Sequence, residues 1–212
     1  MMIDWLAGLD PRIWQAVVAG AFLALGWVVN GARERRSARA LRSERLRDLH
    51  RALFAEIGVQ ITNLGSEARI RADADALLER MEASARFVPF IPRERGDTVF
   101  RSALDDLSIL PRVTIDPIVA YYAQLAAIDA LAEDMRAPEF GRLAPDRRRA
   151  IYLDYVEMKV QAFRFGRIAT HLIYVYAQDG KNVAEEKAAA LKVIDPPVSG
   201  PLSSPDEGPS GR

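Results

Sequence analysis

His50 and His171 are the only imidazoles in the chain, and cysteine is absent. A thiolate nucleophile, a Cys-ligated zinc, an iron–sulfur cluster and a disulfide are therefore excluded together. Histidine chemistry needs a partner at a fixed spacing. The di-iron carboxylate sites of helical bundles place Glu three residues before His on two helices. Here those positions hold Arg47 and Ile168. The His-Glu-x-x-His, Gly-x-Ser-x-Gly, Gly-x-Gly-x-x-Gly and phosphate-loop patterns are absent as well. His50, between Arg47 and Arg51, reads as solvent-facing. His171, beside Leu172, reads as a core-edge residue making one hydrogen bond.

Carboxylates and phenols remain. Glu56, Asp106, Asp129, Asp154 and Glu157 fall where helices could turn them toward a core. Any two could act as a general acid and base, but helical spacing places most on surfaces where arginine pairs with them. Tyr121, Tyr122, Tyr152 and Tyr155 are expected to gather where two helices meet, as a stacked, hydrogen-bonded cluster. The enzymatic alternative is a pocket bounded by Tyr121, Tyr155 and Asp129 or Asp154. No catalytic, cofactor-binding or metal-ligating residue is assigned, and no cofactor is expected.

The 212-residue chain carries 29 basic and 29 acidic residues, a formal net charge of zero. Nothing global points to nucleic acid. Locally the balance breaks. Arg33, Arg35, Arg36, Arg39 and Arg42, followed by Arg45, Arg47 and Arg51, meet only Glu34, Glu44 and Asp48, a net of +5. The patch has no interleaved aromatics, so it lacks the stacking platform of a single-strand binder, and no nucleic-acid partner is expected. Anionic lipid headgroups are the expected contact, at about 1 kcal/mol per charge near a membrane surface.

Ahead of the arginines, residues 13–32 contain no charge. Twenty helical residues reach about 30 Å, the thickness of bilayer hydrocarbon. Trp14 and Trp27 lie near the two ends, where amphipathic rings favour the headgroup level. Asp10 and Pro11 mark a helix start. A signal peptide fits less well, since a basic leading region is missing. Only Arg12 flanks the run on its N-terminal side, and positive charge is retained on the cytoplasmic side during insertion. The expectation is a single transmembrane helix at 13–32 in a bacterial inner membrane. Residues 1–12 would lie outside, 33–45 would form a basic juxtamembrane helix, and the remaining domain would be cytoplasmic. Ala16, Gly20 and Ala24 recur every four residues, a small-residue face that lets helices approach closely.

These features must be positioned by helices. No Gly or Pro interrupts residues 32–57, so the spanning helix is expected to continue, with Leu46, Leu49, Leu53, Ile57, Ile61, Leu64 and Ala68 along one stripe. It is expected to run on to about Arg86. "FVPFIPRERGD" reads as a loop whose Phe and Ile residues tuck against the bundle. A short helix over 98–110 follows, with Phe100, Leu104 and Leu107 inward. The next helix is expected from Asp116 as cap and Pro117 at its first position. The clearest signal runs from Ala144-Pro145-Asp146 to Asp179, closed by Gly180. Its apolar residues alternate steps of four and three, a period suited to coiled-coil-like packing against a nearly parallel neighbour. A weak helix, "NVAEEKAAALKVI", precedes a tail at 195–212 that is too rich in Pro, Gly and Ser to bury a core and is expected to be disordered.

The fold expected is all-α: a membrane helix, a bundle of about four helices over 46–194, and the tail. The function expected is a membrane-anchored, non-catalytic interaction or scaffold module that binds a partner or itself. An envelope protein with its domain in the periplasm is the alternative topology, and an enzyme using the Tyr/carboxylate pocket is the alternative chemistry.

Overall fold

The computed structural model describes residues 11–93 and 96–194, with side chains at 11–14, 16–19, 21 and 192–194 outside that description. The N-terminal segment before Pro11 and the tail from 195 lie outside the described residues, as do the side chains of Trp14 and Ala16. The described chain is all helical: α1 (Pro11–Leu64), α2 (Glu67–Ala83), α3 (Thr98–Ser102), a 3-10 turn (Leu104–Ile109), α4 (Arg112–Arg136), α5 (Pro138–Arg142), α6 (Pro145–Asp179) and α7 (Lys181–Ile194). The chain divides into two compact units, Met1–Arg51 and Ala52–Arg212.

The first unit corrects the membrane assignment. Among the described residues, no helix is long and apolar enough to cross a membrane. The single-pass inner-membrane placement, with the N-terminus outside and the bundle cytoplasmic, is therefore withdrawn.

The second unit is a helical bundle. Its α1 portion contributes Leu53 and Ile57, both fully buried. Where one unbroken helix to about Arg86 was expected, the chain breaks at Gly65. There φ is +80°, a left-handed conformation that glycine adopts without penalty. The Gly65 amide donates to the Ile61 carbonyl at 3.0 Å, closing α1. Ser66 then caps α2, its hydroxyl accepting from the Arg69 amide at 3.2 Å.

α6 keeps its expected limits. Pro145 occupies the first turn and Gly180, at φ +84°, ends it. It supplies the largest share of the core: Tyr152, Tyr155, Val156, Val160 and Phe163 pack with Ile70, Leu78 and Met81 of α2 and with Ala132 and Met135 of α4. Each such side chain contributes roughly 1.5–3 kcal/mol when fully removed from water. Exposed pairs tie α2 to α6: both Arg71 nitrogens reach the Glu157 carboxylate, and Arg164 forks onto Glu67 at 2.9 and 2.7 Å. Solvent screens such exposed pairs, so they add little to stability. α4 starts at Arg112, earlier than expected, and takes Pro117 into its second turn. The Pro111 carbonyl receives the Thr114 and Ile115 amides at 3.0 and 2.9 Å, so the helix is already under way before Pro117. α7 packs Ala184 against Val113 and Val175.

Candidate functional site

Arg33, Arg35, Arg36, Arg39 and Arg42 all lie on α1, exposed. With no spanning helix among the described residues, their expected role beside Trp14 and Trp27 as markers of a membrane boundary has no span to flank. What the first unit does present is apolar surface. Phe22, Leu23, Leu25, Trp27, Val28 and Val29 are 57–85% exposed. Successive helical residues turn by about 100°, so these six leave no side of the helix polar. Gly20 and Ala24 share one face, both exposed, and a Cβ placed on Gly20 would meet nothing within 4 Å. His50 is 4% exposed rather than solvent-facing, and burial lowers its pKa from 6.5 to about 4.

In the second unit the tyrosines separate into two pairs. Tyr121 and Tyr122 meet edge to face at 5.1 Å, and Phe100 stacks on Tyr122 at 3.9 Å. Tyr152 and Tyr155 lie 6.1 Å apart within the α2–α4–α6 core. The first pair belongs to a polar network. The Tyr122 hydroxyl donates to Glu56 at 2.5 Å, and the Val99 and Phe100 amides donate to the same carboxylate at 2.7 and 3.1 Å. Glu56 thereby caps the first turn of α3 from across the bundle. The Tyr121 hydroxyl donates to Gln60 at 2.6 Å, while the Gln60 amide nitrogen donates to the Gly96 carbonyl. Burial and the Glu56 charge push both phenols well above their ordinary range, so they remain protonated donors.

Of the five carboxylates expected near a core, Glu56 is the one this network holds. Asp154 is exposed, and Asp129 faces Arg136 at 3.9 Å. Asp106 is exposed and Glu157 is held by Arg71. Among the described residues no group of three or more His, Asp or Glu side chains could hold a metal ion. Arg148, 3% exposed, donates to the Ala85 carbonyl just past the end of α2. A cation there complements the helix dipole.

The second unit also carries an open groove of about 570 Å³. One wall is α1: Phe54, Gly58, Ile61, Thr62 and Gly65. The other is α6: Phe163, Arg167, Thr170, His171 and Tyr174. Both walls use the spacing i, i+4, i+7, i+8, i+11, one face of a helix over about 16 Å. Ile61 lies at Gly166, where an added Cβ would come within 3.0 Å of it. Further along, Glu67 pairs with Arg164 and Arg71 with Glu157. The Thr62 hydroxyl donates back to the Gly58 carbonyl at 2.8 Å, and the Thr170 hydroxyl to the Gly166 carbonyl at 2.9 Å. Both threonines spend their donors on their own helices. His171 is exposed in this wall rather than at the core edge.

Neither the groove nor the Glu56 network was singled out by sequence reasoning. Gln60 carried no signal, because its partners Tyr121 and Gly96 are 61 and 36 residues away. No known protein family, curated protein or solved structure matches the chain.

Proposed function

We propose that the protein is a non-catalytic helical scaffold whose copies associate through the apolar stretch of α1. The observation that carries this reading is the exposure of Phe22, Leu23, Leu25, Trp27, Val28 and Val29 on every side of the helix. A helix apolar all round is stable in water only when several others surround it. A two-stranded seam would cover one face and leave the rest wet. Six large side chains, at roughly 1.5–3 kcal/mol each when fully buried, give on the order of 10 kcal/mol per chain. That is comparable with the cost of association, so assembly should depend on concentration. Gly20 and Ala24 favour close approach. The net +5 of the following arginines opposes it at low salt and is screened at high salt.

The native chain has no cysteine, so single-cysteine variants report contact cleanly. Leu25→Cys and Val29→Cys are expected to form disulfide-linked species on mild oxidation of the full chain. Glu133→Cys, exposed on α4, serves as control and is expected to stay uncrosslinked. Equal crosslinking at all three positions, or none at residues 25 and 29, would overturn the reading.

A further inference from the structure

The groove between α1 and α6 differs from the α1 stretch in kind: it is one-sided, aromatic at its rim and cationic along one wall. Three glycines lie in or beside it. Gly65 is required by its positive φ, and Gly166 by the ring of Tyr121, 2.9 Å from where a Cβ would sit. Gly58 has no such reason. It is helical, and a Cβ there would meet nothing within 4 Å. Glycine inside a helix is unfavourable relative to alanine, so at 58 its effect is to keep the groove floor deep.

The groove's charge is equally one-sided. Its basic lining groups are Arg167 and His171 and no carboxylate lines it, although the charge of Arg167 is felt by Glu67. One turn away, Arg164 is held by Glu67, whereas Arg167 lies over the Phe163 ring, 6.0 Å from its centroid, and forms no ion pair among the described residues. A guanidinium beside exposed aromatic surface, with Phe54 and Tyr174 at 40% and 56% exposure, has the composition of an interface centre.

The geometry points to this groove as the seat of a single amphipathic helix, about three turns long, from a protein partner that presents apolar side chains at one-turn intervals and carboxylates along the Arg167 flank. The length follows from the walls, each about 16 Å long, and the mode is a helix laid in a groove between two helices. The α1 stretch of a second copy is a poor occupant, because residues 13–32 hold no carboxylate to meet Arg167 and a net +5 follows them. The proposal holds whether or not copies of α1 assemble.

The test uses the full chain and two fluorescein-labelled synthetic 14-residue helices. One has Leu at positions i, i+3, i+4 and i+7 with Glu along one flank; its twin has Lys in place of Glu. Fluorescence anisotropy is expected to show saturable binding of the Glu helix, at least tenfold tighter than its twin. Gly58→Leu, whose Cβ meets nothing within 4 Å and whose side chain fills the floor, is expected to weaken binding at least tenfold while the melting temperature holds or rises. Arg167→Glu is expected to reverse the preference between the peptides. Absence of saturable binding, equal affinity for both helices, or binding unaffected by Gly58→Leu would overturn the proposal. So would a change in the chain's own mass on Gly58→Leu, which would make a second copy the occupant.

Discussion

Replacing Glu56 by alanine tests how the second unit holds the 96–110 segment. The carboxylate accepts from the Val99 and Phe100 amides and from the Tyr122 hydroxyl. Losing the cap on α3 costs about 1 kcal/mol. Leaving the hydroxyl of Tyr122, whose side chain is 4% exposed, without an acceptor costs a further 1–3 kcal/mol or so. Together Glu56→Ala should lose about 3 kcal/mol. For a chain of this size that lowers the melting temperature by roughly 9 °C. Glu56→Gln keeps one acceptor oxygen and should lose about 1 kcal/mol. Urea unfolding followed by circular dichroism gives the stabilities, and combining Glu56→Ala with Tyr122→Phe gives their coupling, expected at about 1–2 kcal/mol. Hydrogen exchange should quicken at Val99 and Phe100 more than in α6. A loss below about 0.5 kcal/mol, or strict additivity with Tyr122→Phe, would refute the assignment of Glu56 as the tie between these elements.

Gly166→Ala should destabilise by about 1–2 kcal/mol, because its Cβ would fall 2.9 Å from the Tyr121 ring and 3.0 Å from Ile61 and overpacking outweighs the gain in helix propensity; thermal denaturation that leaves the variant as stable as the parent would contradict this. His50 ionises in the unfolded chain near 6.5 and in the fold only near 4, so the unfolded state binds more protons between those values. The contribution of neutral His50 is complete above pH 6.5 and lost as pH falls toward 4, by about 2 kcal/mol at pH 5; urea midpoints at pH 7.5 and 5.0 should diverge for the parent and much less for His50→Gln, and parallel profiles would reject it. Raising salt from 50 to 500 mM should tighten self-association by screening the arginines; dissociation with salt in sedimentation equilibrium would instead mean that the arginines bind acidic surface.

Much of the fold was legible because its signals are local. α6 announces itself with Pro145 in its first turn, Gly180 at its end and a periodic apolar face between. The break between α1 and α2 was equally local and was overlooked: Gly65 followed by Ser66 is a left-handed stop and an N-cap in adjacent positions. Pro117 reads as a first-turn residue, yet α4 already begins at Arg112 with Pro111 as its N-cap. In the loop, Ile91 is buried as expected while Phe90 stays 86% exposed, a difference set by tertiary packing. The same holds for Leu104, exposed where an inward face was expected.

The interaction surfaces were less legible, and the reasons are physical. Glu56, Gln60 and Tyr122 interact across 36 to 66 residues, a separation that leaves no spacing to read. In the groove wall, Phe54, Gly58, Thr62 and Gly65 look like a mixed surface face until α6 lies beside them. The uncharged stretch at 13–32 was plain in the sequence. Its length suggests a bilayer, whereas among the described residues no helix is long and apolar enough to cross one.

The central claim is that the α1 stretch joins copies of the chain, and mass in solution tests it most directly. Sedimentation velocity of the full chain without detergent, from about 1 to 100 μM in high salt, should show a reversible shift from 23.6 kDa to a species of three or more copies. Leu25→Asp combined with Trp27→Ser should abolish the shift. A chain that sediments as a single copy at every concentration, or floats with lipid vesicles as one, would contradict the account.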